Sequence, residues 1–117
     1  MSDVGIELQS QQFQFLKERS DNFLVVDSGD LLNKPKEYLT EICTRLGIDF
    51  KEGMISWPKG PIAEDGVWAK YWYSNVHKST GFSPRKTSTR AFPEHCRKLL
   101  EEAEPHYNEI SKYALKI

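Results

Sequence analysis

The sequence lacks the features that mark membrane, secreted and nucleic-acid-binding proteins. Its longest purely apolar run covers only residues 23–26, whereas a membrane-spanning helix needs about 20 apolar residues. The N-terminus is acidic and polar, without the apolar segment of a signal peptide. The formal net charge of −1 creates no field that would draw the whole chain to nucleic acid or anionic lipid. We therefore expect a cytoplasmic protein with neither nucleic acid nor membrane as a partner.

Cysteine is also scarce. Cys43 and Cys96 are far apart, and each lies among apolar residues at helical spacing. Two such thiols are typical of structural cysteines in a reducing cytoplasm. Their spacing matches no zinc motif, so the sequence predicts no metal site.

Helical periodicity accounts for most of the 117 residues. Apolar residues recur at intervals of three and four over residues 6–19, over 35–46 and from residue 92 to the C-terminus. Residues 66–78, which are rich in aromatic side chains, predict a further helix. Gly- and Pro-rich stretches separate these segments and predict loops.

One segment predicts a β-strand. Residues 23–27 are apolar and β-branched until they end at an acid, and residues 28–30 follow as a turn. The predicted fold is therefore mainly α with one short β-strand. Because one strand cannot form a sheet, we expect residues 1–117 to be a single, partial α/β domain.

Two candidate ligand residues follow the predicted strand. Asp27 and Ser28 lie at its carboxyl end, the edge at which ligands bind in open α/β sheets. The alternative is that both residues serve only the turn and the start of the next helix.

Two other groups suggest an anion site. Lys78, Ser79 and Thr80 combine an ammonium with two hydroxyls, a set suited to phosphate or sulfate. Arg85 and Lys86 add positive charge in a second loop. The alternatives are a helix end for the first group, since a helix C-terminus repels anions, and a solvated basic loop for the second.

The aromatic segment has two interpretations as well. Trp68 and Trp72 share a helical face, so they predict either a core-packing face or a wall for stacking a sugar or aromatic acceptor, with His77 at its end. His77 alone does not indicate catalysis.

Two stretches carry a family resemblance. The stretch "VVDSGDLLNKPKEYLTEICTRLGIDF" resembles the C-terminal part of the sulfotransferase family. The stretch "MISWPKGPIAEDGVWAKYWYSNVHKSTGF" resembles a bacterial and fungal branch of sulfotransferase-like P-loop proteins. The resemblance implies the C-terminal portion of a P-loop α/β fold. It also implies a parent activity that transfers a sulfuryl group from 3′-phosphoadenosine 5′-phosphosulfate to a hydroxyl or amine.

The sequence departs from that family in one respect that matters for chemistry. It contains no G-x-x-x-x-G-K-[ST] loop to hold the donor's phosphates. In the family, that loop and the catalytic base lie upstream of the segments matched here. We therefore expect no catalytic residue, no cofactor and no transferase activity in this chain alone.

Three functions follow from these features. The first is a sulfotransferase-like fragment that needs a complementing N-terminal half. The second is a non-enzymatic interaction module that dimerises or pairs with another chain, because unpaired strand edges recruit partners. The third is a small stand-alone enzyme that uses His77 with Asp65 or Asp27.

Overall fold

The computed structural model describes residues 5–117 and is mainly helical, as predicted. Single-turn 3₁₀ helices occur at Glu52–Met54, Ala63–Asp65 and Glu94–Cys96. The α-helices are α1 Ile6–Arg19, α2 Ser28–Asn33, α3 Pro35–Leu46, α4 Ala69–Trp72, α5 Ser74–Lys78 and α6 Arg97–Ser111.

Helix α1 has the bounds that the sequence predicts. Glu7 lies in its first turn, whereas Lys17 and Arg19 lie in its last turn, so the charges complement the helix dipole. Gly5 precedes it with a φ of 72°, a left-handed conformation that glycine adopts without steric cost. The helix ends where Ser20 becomes extended.

The contacts divide the chain into two compact units, and the first comprises the residues up to Ser28 together with Lys86–Ile117. In this unit α1 packs against α6. Phe13 is buried, and its ring centroid lies 5.5 Å from that of Phe23 and 5.0 Å from that of Tyr113. This aromatic cluster, with the buried Leu115, forms the unit's core.

The predicted strand is reduced to one parallel bridge. Val25 pairs with Ala114, and its carbonyl accepts a 2.9 Å hydrogen bond from the N–H of Leu115. Within residues 5–117 no longer ladder forms, because no other extended segment runs beside residues 23–27. The residues have strand-like composition, but a strand needs a neighbour to complete its hydrogen bonds.

The second unit is Gly29–Arg85. Helix α3 begins with Pro35 and ends at Gly47, which has a φ of 68°. This proline start and glycine stop follow from the fixed φ of proline and the conformational freedom of glycine. Tyr38 and Cys43 are the buried residues of α3. The predicted turn at residues 28–30 was wrong, since these residues are the first turn of α2.

The aromatic segment is two short helices rather than one. Helices α4 and α5 are interrupted at Tyr73, which has a φ of −100° and a ψ of 15°. Only Ala69 of α4 is buried, so the tight packing of this segment is made by its smallest side chain. The continuous helix predicted over residues 66–78 was therefore wrong.

Helix α6 passes through Pro105 without ending. Among residues 5–117, no helix has the length and apolar character needed to cross a membrane.

Candidate functional site

Asp65 and His77 form a hydrogen-bonded pair in the second unit. The His77 Nε2 nitrogen lies 2.8 Å from Asp65 Oδ2, and both side chains are about four-fifths buried. The same carboxylate oxygen accepts a 3.1 Å hydrogen bond from the backbone N–H of Ile62. Because a carboxylate only accepts hydrogen bonds, His77 Nε2 carries a proton and donates it in this contact.

These hydrogen bonds change the acidity of Asp65. The backbone N–H of Ile62 lowers the pKa of the Asp65 carboxyl, and the hydrogen bond from His77 lowers it further. Both donors stabilise the charged form of the carboxyl. Asp65 is therefore an anion at neutral pH, and it joins the 3₁₀ turn Ala63–Asp65 to α5.

The pair borders an open depression of about 510 Å³. Lys70 contributes an ammonium to its lining, while Ile62 and Val67 contribute apolar surface. This is the pairing that the stand-alone enzyme hypothesis requires for His77. The same hydrogen bonds brace a turn, so a structural role accounts for every contact that the two side chains make here.

Contacts of Trp57 stabilise the turn that follows α5. Trp57 donates from Nε1 to Ser79 Oγ at 3.0 Å and from its backbone to the Thr80 carbonyl at 3.0 Å. Its ring meets that of Phe82 edge-on, with 5.3 Å between centroids. The "SW" and "STGF" segments of the sequence are therefore adjacent in the fold.

The close approach of these two segments requires a glycine at residue 81. Gly81 and Ser56 form an antiparallel bridge, and a Cβ at residue 81 would lie 2.9 Å from the Ile55 carbonyl oxygen. A side chain at residue 81 therefore has no room unless the backbone moves.

Two of the residues predicted to bind an anion, Ser79 and Thr80, already accept hydrogen bonds from Trp57. The Ser79 hydroxyl donates to the Val76 carbonyl at 2.7 Å while it accepts from Trp57. The ammonium of Lys78 belongs to an exposed side chain. These contacts match the helix-end alternative, and the anion-binding role of Lys78, Ser79 and Thr80 stays a prediction.

Arg85 and Lys86 lie in an extended, exposed loop. Arg85 is the last residue of the second unit and Lys86 begins the return of the chain to the first. Their solvent exposure matches the predicted basic loop, and their role in anion binding is likewise untested.

The core interpretation of the aromatic segment is wrong. Trp68 and Trp72 are 65% and 75% exposed, because no element of the described residues covers that side of α4. Both rings line an open depression of about 570 Å³ with Tyr71. His77 lines the other depression, beside Asp65, so the three residues do not form one wall.

In the first unit, Asp27 accepts a hydrogen bond from the Tyr107 hydroxyl at 2.6 Å. A cavity of about 290 Å³ adjoins this pair, with Ser28 in its lining and apolar walls from Val25 and Ile110. The structure therefore places Asp27 and Ser28 at one cavity, and their role as ligand residues stays a prediction.

Sequence reasoning missed two residues of these sites. Tyr107 lies 80 residues from Asp27, so no local pattern pairs them. Trp57 was assigned to a loop without a partner, although the Pro and Gly residues around it indicated a fixed turn. Within residues 5–117, no three His, Cys, Asp or Glu side chains converge as ligands for a metal ion.

Comparison with known proteins gives the family. A model of the sulfotransferase domain matches residues 2–114. Branched-chain-amino-acid aminotransferase-like proteins 1 and 2 of Arabidopsis thaliana are 46% and 42% identical to the chain over 84 residues. Each alignment covers 72% of this chain but 15% of the relative. No solved structure shows a significant match. Since the family model covers nearly all of its residues, the chain belongs to the sulfotransferase domain family.

Proposed function

We propose that the chain is the C-terminal part of a sulfotransferase domain and acts with a complementing segment that carries the phosphate loop. The assembled domain would transfer a sulfuryl group from 3′-phosphoadenosine 5′-phosphosulfate to a hydroxyl or amine. In this proposal residues 1–117 are one partial domain, inactive alone. The likeness of the "MISW…STGF" stretch to the bacterial and fungal branch is part of it, although the curated relatives named above are plant proteins.

The observation that carries the proposal is the large surface of the chain. It exposes 9675 Å², whereas a compact monomer of 13.6 kDa exposes about 6,600 Å². Two separate units of half that mass would together expose only about 7,900 Å². We infer that a missing part of the domain would cover this excess, which supports the proposal.

The backbone of residues 23–27 is the proposed place of attachment. Its composition is that of a strand covered on both faces, yet within the described residues it makes a single bridge, from Val25 to Ala114. A strand from the complementing segment would extend this pairing, since an added strand completes the hydrogen bonds of an exposed strand edge. The cavity at Asp27 and Ser28 would then lie at the edge of a real sheet.

Calorimetry tests whether the missing segment is essential. The chain alone is titrated with 3′-phosphoadenosine 5′-phosphate, and we expect no binding in the micromolar range. The titration is repeated after adding a segment that contains an upstream glycine-rich strand–loop–helix. We expect binding to appear. Tight 1:1 binding to the chain alone would contradict the proposal.

A second candidate function is a non-enzymatic interaction module, which the single backbone bridge at Val25 also favours. The two candidates differ in one result. If the added segment associates with the chain but the nucleotide still does not bind, the interaction module is the better description.

A cytoplasmic location is also part of the proposal. Cys43 and Cys96 are free thiols, as expected for a reducing compartment. We retain Lys78, Ser79, Thr80, Arg85 and Lys86 as proposed anion contacts of the assembled domain, to be tested by their effect on nucleotide binding.

A further inference from the structure

The cavity beside Asp27 has the size and the enclosure of a small-ligand site. Three segments of the first unit form it: the start of α1, the extended stretch that ends at Ser28, and the C-terminal end of α6 with the residues that follow. Its volume is about 290 Å³, whereas an apolar cavity of about 150 Å³ already holds a benzene molecule. The space therefore suits a ligand of roughly six to ten non-hydrogen atoms.

The lining of this cavity carries negative charge and no positive charge. Asp27 contributes a carboxyl, and the described residues that line the cavity include no lysine, arginine or histidine. Asp27 is half-buried, and its Oδ2 accepts from the Tyr107 hydroxyl at 2.6 Å, a distance typical of a hydroxyl bound to an ionised carboxylate. A phosphate or sulfate would meet like charge here, whereas a cation would be attracted.

Two hydroxyls of the lining have already used their hydrogens. The Tyr107 hydroxyl donates to Asp27, and the Ser111 hydroxyl donates to the Asn108 carbonyl at 3.0 Å. Because a hydroxyl has one hydrogen, a ligand that bonds to either oxygen must supply the donor itself. An ammonium group has three donors and no acceptor, so its chemistry is complementary to this lining.

Apolar side chains form the remaining walls, with contributions from Ile6, Val25 and Ile110. Val25 is held in place by its bridge to Ala114 and by the 2.9 Å hydrogen bond from the Leu115 N–H to its carbonyl. This wall is therefore formed before a ligand enters, which lowers the entropic cost of binding.

We propose that this cavity binds a small organic cation, a primary ammonium on a short branched hydrocarbon, with Asp27 as its charged partner. The ammonium would donate to Asp27 and to the hydroxyl oxygens of Tyr107 and Ser111, while the hydrocarbon would lie against the apolar walls. The proposal concerns residues of this chain alone and does not rest on the proposed transferase activity. The titration below and the nucleotide titration above therefore succeed or fail independently.

Two-dimensional amide NMR of the full chain tests the proposal with matched probes. Isopentylammonium carries the charge, and isopentanol has the same hydrocarbon body without it. We expect the ammonium to shift the amide signals of the cavity residues to saturation and to bind at least about tenfold more tightly than the alcohol, since hydrogen bonds to charged groups are the stronger ones. An alcohol that binds as tightly, or ammonium shifts that are spread over both units without saturating, would overturn the proposal.

Asp27→Asn tests the charged partner. Asparagine caps a helix start about as well as aspartate, so the variant should keep the start of α2 and fold. We expect its affinity for isopentylammonium to fall about tenfold or more and its affinity for isopentanol to stay unchanged. Asp21→Asn is the matched control, because it removes the same charge from an exposed residue of the first unit outside the cavity lining.

The control variant separates a specific contact from a general effect of charge. Asp21→Asn should bind isopentylammonium like the wild-type chain, and equal weakening by the two variants would overturn the assignment of Asp27. If Asp27→Asn fails to fold, which its amide spectrum shows directly, the comparison of the two probes on the wild-type chain still decides the proposal.

Discussion

At the scale of single residues, the Asp65 side chain accepts two hydrogen bonds in the candidate site. Its Oδ2 accepts from Ile62 and from His77, and it therefore fixes the turn that leads into α4. The side chain needs to be an anion to accept both hydrogen bonds well, since charge strengthens them.

The lowered pKa of Asp65 gives a prediction with a definite sign. A carboxyl whose pKa falls on folding stabilises the folded state fully above its ordinary value of 3.8, and this contribution is lost as the pH falls through the lowered value. Asp65→Asn should therefore lower the urea midpoint at neutral pH, and its difference from wild type should shrink below pH 3.8. Asp49→Asn, the same change at an exposed carboxylate, should show no such difference. A constant difference at all pH values would contradict this role for the charge.

Gly81 gives a steric prediction. A methyl group at residue 81 would lie 2.9 Å from the Ile55 carbonyl oxygen, and relieving such overlap costs about 1–3 kcal/mol. We expect Gly81→Ala to lower the free energy of unfolding by that amount in urea denaturation. Gly53→Ala is the control, because a methyl group at residue 53 would have no atom within 4 Å, and it should change stability by less than about 0.5 kcal/mol. Equal effects of the two variants would exclude the steric explanation.

At the scale of elements, the sequence predicts structure well wherever the signal is local. Helix α1 and the glycine end of α3 follow from periodicity, terminal charges and the freedom of Gly47, all of which operate within a few residues. The interruption at Tyr73 was missed because the periodicity of residues 66–78 continues past it.

The candidate site likewise contains some residues that local sequence patterns predict and others that they do not. Asp27 and Ser28 were predicted because they directly follow an apolar stretch, which is a local pattern. Tyr107, which donates a hydrogen bond to Asp27, could not be found because the contact spans 80 residues. The exposure of Trp68 and Trp72 was unpredictable for a related reason. Aromatic residues at helical spacing indicate a buried face only if another element covers that face.

The turn after α5 depends on the indole of Trp57, and this can be tested. Trp57→Phe keeps a ring against Phe82 but removes the Nε1 donor to Ser79. Loss of one such hydrogen bond should lower the free energy of unfolding by about 1 kcal/mol. Trp72→Phe is the matched control, since Trp72 is 75% exposed and its change should be below about 0.5 kcal/mol. Both are measured by urea denaturation. A Trp57 variant as stable as the control would show that the indole hydrogen bond does not hold the turn.

At the scale of the whole molecule, burial is low. Within residues 5–117 the buried apolar side chains are few; they are Phe13, Tyr38, Cys43, Ala69 and Leu115. With so small a core the free energy of unfolding should lie near the lower end of the usual range of about 5–15 kcal/mol. The large exposed surface and the exposure of Trp68 and Trp72 both follow from this low burial.

Removing one core ring should therefore have a large effect on the first unit. Phe13 is 5% exposed and contacts both Phe23 and Tyr113, and truncating a buried phenylalanine typically costs about 3–5 kcal/mol. Phe13→Ala should remove most of the stability available and abolish the near-ultraviolet circular dichroism of the Phe23–Tyr113 cluster. Phe15→Ala, two residues along the same helix but 53% exposed, should leave that signal intact. If the two variants unfolded at the same urea concentration, α1 would not be packed through Phe13. If addition of the complementing segment raised the midpoint of Phe13→Ala, the missing part of the domain would supply the burial that this chain lacks, since binding to the folded state shifts the equilibrium toward it.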